Sequence, residues 1–228
     1  MDIETLKQLC NFDGDKYVQK TGKQYLEALE KVLGAVNRND KPFTIDEITS
    51  QPKFKDFTFS GVTEFKYVCK LHAHPLIIKN NHRKNEKIVP YDFANDEMKS
   101  IFNHSMGTVY IFTCPYDGNE YVIKIGQTRT TFKTRLSSYN CGVVNNWRTA
   151  STTNIKILQS MVSTGLDFKL YIYDCSEDPY VLTWHGITSV PFSASKALAV
   201  EDIMIKKFVE QFNKKPLANI QANATEEN

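Results

Sequence analysis

With 228 residues, 41% of them hydrophobic, and a formal net charge of +2, the chain can bury the core of one large domain or two small ones, which argues against intrinsic disorder. Its five cysteines form no Cys-x-x-Cys pair, so neither a disulfide framework nor a zinc ribbon is predicted. No apolar run approaches the roughly 20 residues that span a bilayer, and the first residues do not resemble a leader, so we expect a soluble, cytoplasmic protein.

Residues 1–104 are predicted to form an N-terminal region of helices and strands that binds DNA or mediates dimerisation. Residues 25–34 have apolar side chains at helical spacing and end in glycine, which predicts a helix. Thr44 and Glu47 have the spacing of a capping box and predict a second, short helix. The aromatic, partly alternating segment 54–71 favours strands. This order is compatible with a winged helix, but a helical hairpin followed by strands is a common arrangement and is the favoured interpretation.

Two further features of this region have simple explanations. Residues 79–87 are polar and predict a loop, which is either solvated or in contact with DNA phosphates. The potential zinc ligands Cys69, His72, His74 and His82 lack a second closely spaced pair, so a structural zinc site is not predicted.

The pattern changes to α+β from residue 107 onwards. Strands are predicted over 107–113 and 120–125, with a polar turn at 114–119 that contains Asp-Gly, a common hairpin signal. A helix should follow over 132–139. The remaining predicted elements, before a frayed polar tail at 223–228, are a helix over 153–162, a strand over 168–173 and a helix over 195–212.

Basic residues dominate the middle of the chain. Between Glu120 and Asp167 there is no acidic residue, whereas six lysines and arginines occur there. Such a local positive field attracts a polyanion, although an ordinary solvated surface would have the same composition.

Glu201 is an unusual residue in the last predicted helix. Its neighbours three and four positions away are apolar, so the carboxylate emerges from the buried stripe of the helix. Two explanations remain open: a buried salt bridge to an arginine, or a ligand for a divalent metal. Asp202 points elsewhere and is predicted to face solvent.

Three side chains near the predicted hairpin suit phosphodiester chemistry. The guanidinium of Arg135 fits bidentate contact with a phosphate whose charge grows in the transition state. Tyr110 is a candidate general base, and Lys124 on the neighbouring strand would favour its ionised form. Core packing is the alternative role for an isolated strand tyrosine.

These residues belong to a pattern that resembles the GIY-YIG nuclease superfamily, and within it the type II restriction endonucleases. The resemblance covers about 107–220. In order, its elements are Gly107-Thr108-Val109-Tyr110, Lys124-Ile125-Gly126-Gln127-Thr128, Arg135, Tyr139, Glu201 and Asn219. Thr-Val-Tyr replaces Gly-Ile-Tyr, and lysine replaces the tyrosine that most members have in the second motif, as in the restriction-enzyme and phage-type branches.

The resemblance implies an α+β core, with a small central antiparallel sheet flanked by helices, over 105–222. It also implies hydrolysis of DNA with one Mg²⁺, for which Mn²⁺ could substitute, held by Glu201. Tyr110 with Lys124 would position or activate water, while Arg135 and Tyr139 would bind the phosphate. Asn219 would have a supporting, substrate-orienting role.

The expected substrate is double-stranded DNA, cut at a specific site by a homodimer, since a palindromic site matches a twofold protein. Amide, hydroxyl and basic groups that can read base edges or contact phosphates cluster around the motifs. The predicted DNA-binding residues are Gln127, Arg129, Lys133, Asn140, Asn145, Asn146, Arg148, Thr152, Thr153 and Asn154. The alternatives are a phage-borne or homing-type nuclease, and a catalytically inactive DNA-binding protein.

Overall fold

The computed structural model describes residues 42–71, 91–139, 153–177, 181–191 and 194–219. The predicted helix over 25–34, the three histidines considered as zinc ligands, the loop over 79–87 and the polar tail lie outside these ranges. The described α-helices are α1 (Ile45–Thr49), α2 (Asp96–His104), α3 (Phe132–Tyr139), α4 (Thr153–Thr164) and α5 (Ala194–Phe212). The described strands are β1 (Lys66–Leu71), β2 (Tyr91–Phe93), β3 (Met106–Tyr116), β4 (Asn119–Thr131), β5 (Phe168–Asp174), β6 (Thr183–Trp184) and β7 (Ile187–Thr188).

Helix α1 begins with the predicted capping box. The Thr44 N–H donates to Glu47 Oε2 at 2.8 Å, and the Glu47 N–H donates to Thr44 Oγ1 at 3.2 Å. These reciprocal bonds satisfy main-chain donors that have no partner inside the helix, which is why this short helix begins at residue 45.

The prediction of strands over 54–71 is only partly right. The segment begins with two 3-10 turns, Phe54–Asp56 and Ser60–Glu64, and only its end forms strand β1. Phe57 and Phe65 are buried in the cluster that packs against α5. The aromatic spacing therefore reflects anchoring of turns to a helix rather than the alternation of a strand.

Strands β3 and β4 form a long antiparallel hairpin. Its turn is shorter than predicted because Asp117 and Gly118, at φ of 47° and 69°, form a two-residue connection. Turns with two positive φ angles match the twist of paired strands, which is why Asp-Gly is favoured there. Strand β3 consequently extends beyond its predicted limit of 113, and at its other end β4 continues past the predicted limit of 125.

The larger sheet has the strand order β2-β1-β5-β3-β4, and β3 is antiparallel to both of its neighbours. Strands β6 and β7 form a separate two-stranded sheet. With helices α2, α3 and α5 between and after these strands, the predicted α+β class is confirmed. Helix α2, strand β2 and the β6–β7 hairpin were not predicted.

The chain divides into two compact units, each built from separate segments. One unit comprises 1–48, 71–92 and 136–168. In it, the Phe43 N–H donates to Ser160 Oγ at 2.7 Å, and the Lys156 ammonium lies 4.6 Å from the centre of the Phe43 ring.

The other unit comprises 49–70, 93–135 and 169–228, and it contains most of the large sheet. Helix α5 packs on one face of the β3–β4 hairpin, where Val109, Ile111 and Ile125 join Met204 and Phe208 in the buried cluster. The predicted division at residue 104 stays a prediction. Among the described residues, no helix has the length and apolarity needed to cross a membrane.

Candidate active site

The hairpin has two faces with different chemistry. Residues directly opposite each other on paired strands share a face, and Tyr110 pairs with Gly126 while Phe112 pairs with Lys124. Tyr110 and Lys124 are therefore diagonal neighbours on one face. The opposite face carries the apolar residues that pack against α5. The predicted juxtaposition of Tyr110 and Lys124 is thus present in the fold.

The Tyr110 ring lies directly over the backbone of Gly126. A Cβ atom at residue 126 would lie 2.4 Å from both the Cζ and the Oη atoms of Tyr110. No side chain fits in that space, so glycine is required for the ring to reach this position.

Aromatic rings and an arginine fix the orientation of Tyr110. The residue is fully buried, and its ring makes edge contacts with Phe112 at 5.5 Å and with Phe132 at 5.0 Å between centroids. Arg135 Nε donates to the Tyr110 hydroxyl at 3.4 Å. Since Phe132 and Arg135 both lie in the first turn of α3, the start of that helix determines where the hydroxyl points.

Lys124 is an ionisable group in an unfavourable environment. Its side chain is only 9% exposed. Burial, assisted by the cation of Arg135, lowers the pKa of Lys124 to about 8, against a weaker opposing effect from the Glu201 carboxylate. A lysine with that pKa can exchange a proton near neutral pH, unlike an ordinary surface lysine.

Glu201 occupies the buried stripe of α5, between Ala197 and Met204, as the sequence predicted. Burial raises the pKa of its carboxyl group, opposed in decreasing order by Lys124, by Arg135 and by a hydrogen bond from the main-chain N–H of Gln127. Lys124 and Arg135 therefore lie close enough to the Glu201 carboxylate to affect its pKa. Asp202 is exposed, as predicted, and pairs with Lys206 at 2.9 Å.

Asn219 holds the outer edge of β4. Its Oδ1 accepts from the Ile125 N–H at 3.0 Å, and its Nδ2 donates to the Ile125 carbonyl at 2.8 Å. The Ala218 N–H donates to the Ile123 carbonyl at 2.8 Å. The amide of Asn219 therefore pairs with β4 as a neighbouring strand would, close to the point where Glu201 meets Gln127. A substrate-orienting role for Asn219 stays a prediction.

The other predicted site residues are only partly described. Arg129 and Lys133 are exposed on the basic end of the hairpin and the start of α3. Gln127 is half-buried, and its Oε1 atom is buried. The side chains of Tyr139, Thr153 and Asn154 lie outside what the structure describes, although their backbones lie in helices. The predicted DNA-binding residues outside the described ranges are Asn140, Asn145, Asn146, Arg148 and Thr152.

One solved structure resembles the chain. It is described as "Restriction endonuclease HPY188I in complex with product DNA", with 27% sequence identity over 82% of this chain and 97% of that chain, at a TM-score of 0.48. No protein-family model matches, and no curated protein matches. A TM-score below 0.5 does not define a shared fold, so the chain's own side chains carry the functional proposals.

The residues at Glu201 fit a small divalent cation. Magnesium needs one or two carboxylates from a protein and keeps several waters, and Glu201 supplies one partly exposed carboxylate. The buried Oε1 of Gln127 has no hydrogen-bond partner among the described residues and belongs to the residue whose N–H contacts Glu201. Within the same ranges, no three His, Cys, Asp or Glu side chains form a metal-binding group.

Two contributors were missed from the sequence. Phe132 holds the Tyr110 ring, but a phenylalanine at the start of a helix gives no signal that distinguishes it from any core residue. The main-chain N–H of Gln127 contacts Glu201, and main-chain donors have no side-chain signature in a sequence. The packing of α3 against Tyr110 reveals the first contribution, and the arrangement of β4 against α5 reveals the second.

Proposed function

We propose that the chain is a site-specific, Mg²⁺-dependent endonuclease that hydrolyses phosphodiester bonds of double-stranded DNA. We further propose that it is a GIY-YIG nuclease of the type II restriction-enzyme kind. The observation that carries the proposal is the set of Tyr110, Lys124, Arg135 and Glu201, in which Arg135 donates to the buried Tyr110 hydroxyl and both cations influence the pKa of the Glu201 carboxyl group.

The proposed nucleophile is water, activated by the tyrosine hydroxyl. Arg135 donates to the Tyr110 oxygen, so a lone pair of that oxygen is oriented and negative charge on it is favoured. Lys124 is the neighbouring group that exchanges a proton near pH 8. In its neutral form it accepts the phenolic proton as Tyr110 takes a proton from water. Burial of Tyr110 and Lys124 keeps bulk water from competing for these protons.

Arg135 has a second proposed role. The guanidinium group has donors on both edges, and Arg135 uses Nε for Tyr110. Its terminal nitrogens would bind the scissile phosphate and stabilise the charge that develops there. Tyr139, one turn later in α3, is proposed to contact the same phosphate.

Glu201 would hold the Mg²⁺ ion, for which Mn²⁺ could substitute. When bound, the ion supplies Lewis-acid stabilisation of the phosphate and of the leaving oxygen. The Gln127 N–H fixes one side of the carboxylate, and Lys124 and Arg135 partly oppose the rise that burial causes in the pKa of Glu201. Asn219 supports this arrangement by fixing the edge of β4.

DNA recognition is proposed for the segment between Glu120 and Asp167, which contains basic but no acidic residues. Arg129 and Lys133 are exposed, two positions from Gln127 and Arg135 respectively, and suit phosphate contacts. The predicted base-reading residues after Tyr139 would complete the interface. A homodimer is proposed because a palindromic target matches twofold symmetry.

The test is incubation of the purified protein with plasmid and phage DNA, with Mg²⁺ or with a chelator, analysed on a gel. Discrete Mg²⁺-dependent bands are expected. A smear would favour the phage-borne or homing-type nuclease. DNA that is shifted but uncut would overturn catalysis and leave a DNA-binding protein.

A further inference from the structure

The side chain of Gln127 ends in a buried oxygen that is unusual for its position. Its Oε1 atom is buried and has no hydrogen-bond partner among the described residues. An amide oxygen in that state loses its water without regaining a bond, which costs about 1–3 kcal/mol. Such a cost is normally avoided in a folded protein, so we expect a bound ligand to supply the missing partner of this oxygen.

The surroundings of Gln127 indicate the class of that ligand. Gln127 pairs with Val109 and lies on the same face of β4 as Ile125, which is the face covered by α5. The N–H of Gln127 itself donates to the Glu201 carboxylate. One residue therefore carries both a main-chain donor to the carboxylate and an acceptor oxygen without a partner.

A site built from the Glu201 carboxylate and the acceptor oxygen of Gln127 would repel an anion. Carboxylate and amide oxygens are the donor set that magnesium, manganese and calcium take from proteins. The only carbonyl-type acceptor described as lacking a partner in this part of the hairpin is Gln127 Oε1. The pair of Glu201 and Gln127 thus presents two oxygen donors of the kind that a divalent cation binds, directly or through one of its waters.

We propose that Gln127 supplies a second oxygen to the divalent-cation site at Glu201, rather than a contact to the DNA bases. This inference rests on the proposed function, because it assumes that Glu201 holds a cation. In this assignment the N–H of Gln127 positions the Glu201 carboxylate. The Oε1 atom of Gln127 binds the ion, directly or through one of its waters.

The test is binding of Mn²⁺ to the full-length protein without DNA, measured from the loss of the free-ion signal in electron paramagnetic resonance. Gln127→Leu should weaken the affinity by about tenfold, the size of effect seen when a supporting oxygen is removed. Gln127→Glu, which keeps an oxygen and adds charge, should tighten it. Equal affinities for wild type, Gln127→Leu and Gln127→Glu would overturn the proposal.

A matched control is available on the other face of the same hairpin. Thr108 Oγ1 is also buried without a partner among the described residues, but Thr108 shares its face with Thr128 and not with Gln127. Thr108→Val should leave Mn²⁺ affinity unchanged. A loss equal to that of Gln127→Leu would show that removal of any buried polar atom disturbs the hairpin, and would also overturn the proposal.

Glu201→Gln separates this inference from the function on which it rests. If Mn²⁺ binds to Glu201→Gln as it binds to wild type, the cation site itself is wrong. If Glu201→Gln loses binding and Gln127→Leu does not, only the role of Gln127 is wrong. Circular dichroism of each variant checks that the fold is intact before the affinities are compared.

Discussion

The ring of Tyr110 lies so close to the backbone of Gly126 that one added carbon would come within 2.4 Å of its hydroxyl oxygen. The two residues are directly paired across the β3–β4 hairpin. The location of the proposed catalytic hydroxyl therefore depends on the absence of a side chain on the neighbouring strand.

Gly126→Ala should displace the Tyr110 ring and lower the DNA cleavage rate by about 100-fold, the cost of a small misplacement of a reacting group. Overpacking should also destabilise the fold by roughly 1–3 kcal/mol. Gly61→Ala is the control, because its Cβ would lie 2.6 Å from the Phe59 ring, away from Tyr110. Cleavage assays and thermal unfolding of both variants are the measurements. Equal losses of activity would contradict the positional argument.

Glu201→Gln should abolish cleavage without destabilising the protein. Burial raises the pKa of this carboxyl group, so its ionised form is less favourable in the folded chain than in the unfolded one, and it weakens stability above that pKa. Removal of the charge should leave the free energy of unfolding at pH 7 unchanged or higher. Asp202→Asn is the control, since Asp202 is exposed and pairs with Lys206. Unfolding of Glu201→Gln would instead support a structural ion pair.

Lys124 should make stability depend on pH between about 8 and 10.5. In that window the unfolded chain holds the lysine proton and the folded chain has released it, so stability rises with pH. A shift of this size corresponds to an effect on the order of 3 kcal/mol. Lys124→Met should remove this rise and stabilise the protein at pH 7. Denaturant unfolding at several pH values measures both effects, and an unchanged pH profile in Lys124→Met would refute the assignment.

A role of Lys124 as a proton acceptor can be distinguished from the effect of its positive charge. Lys124→Arg keeps a cation but has no neutral form near pH 8, because a guanidinium does not lose its proton in proteins. If Lys124 accepts a proton, single-turnover cleavage should rise toward pH 8 in wild type and fall about 100-fold or more in Lys124→Arg. Retention of most activity in Lys124→Arg would show that the positive charge alone is needed.

Arg129 and Lys133 should contribute to DNA affinity through phosphate contacts. Each exposed cation that neutralises a phosphate releases a counterion, so Arg129→Ala or Lys133→Ala should reduce the slope of log affinity against log salt by about 1. Lys206→Ala, at an exposed lysine of α5 in the same unit that pairs with Asp202, should leave the slope unchanged. Equal slopes for wild type, Arg129→Ala and Lys133→Ala would exclude these contacts.

Much of the local structure could be predicted because its causes are local. The capping box at Thr44, the Asp117-Gly118 turn and the helix that carries Glu201 each depend on side chains a few positions apart. The burial of Glu201 within its apolar stripe followed from the same helical period. The position of the Tyr110 ring over Gly126 was not predicted, because it depends on the register of the β3–β4 hairpin.

What the sequence did not reveal depends on contacts between distant segments. Phe57 and Phe65 read as strand residues, yet they anchor 3-10 turns and a strand end against α5, about 150 residues later. The double hydrogen bond of Asn219 to Ile125 joins residues 94 positions apart and uses main-chain atoms on one side. Main-chain partners of this kind are the same for every residue type, so no pattern of letters marks them.

The covering of the β4 edge affects how readily the protein self-associates. In the five-stranded sheet, β4 is a terminal strand, and its outward main-chain groups are occupied by Asn219, by Ala218 and by the Glu201 carboxylate. An uncovered strand edge is a template for pairing with other chains. Loss of the residues that follow α5 would uncover the main-chain groups of Ile123 and Ile125, although Pro52 would still bond to Val122, so we expect a chain that ends after α5 to self-associate more readily.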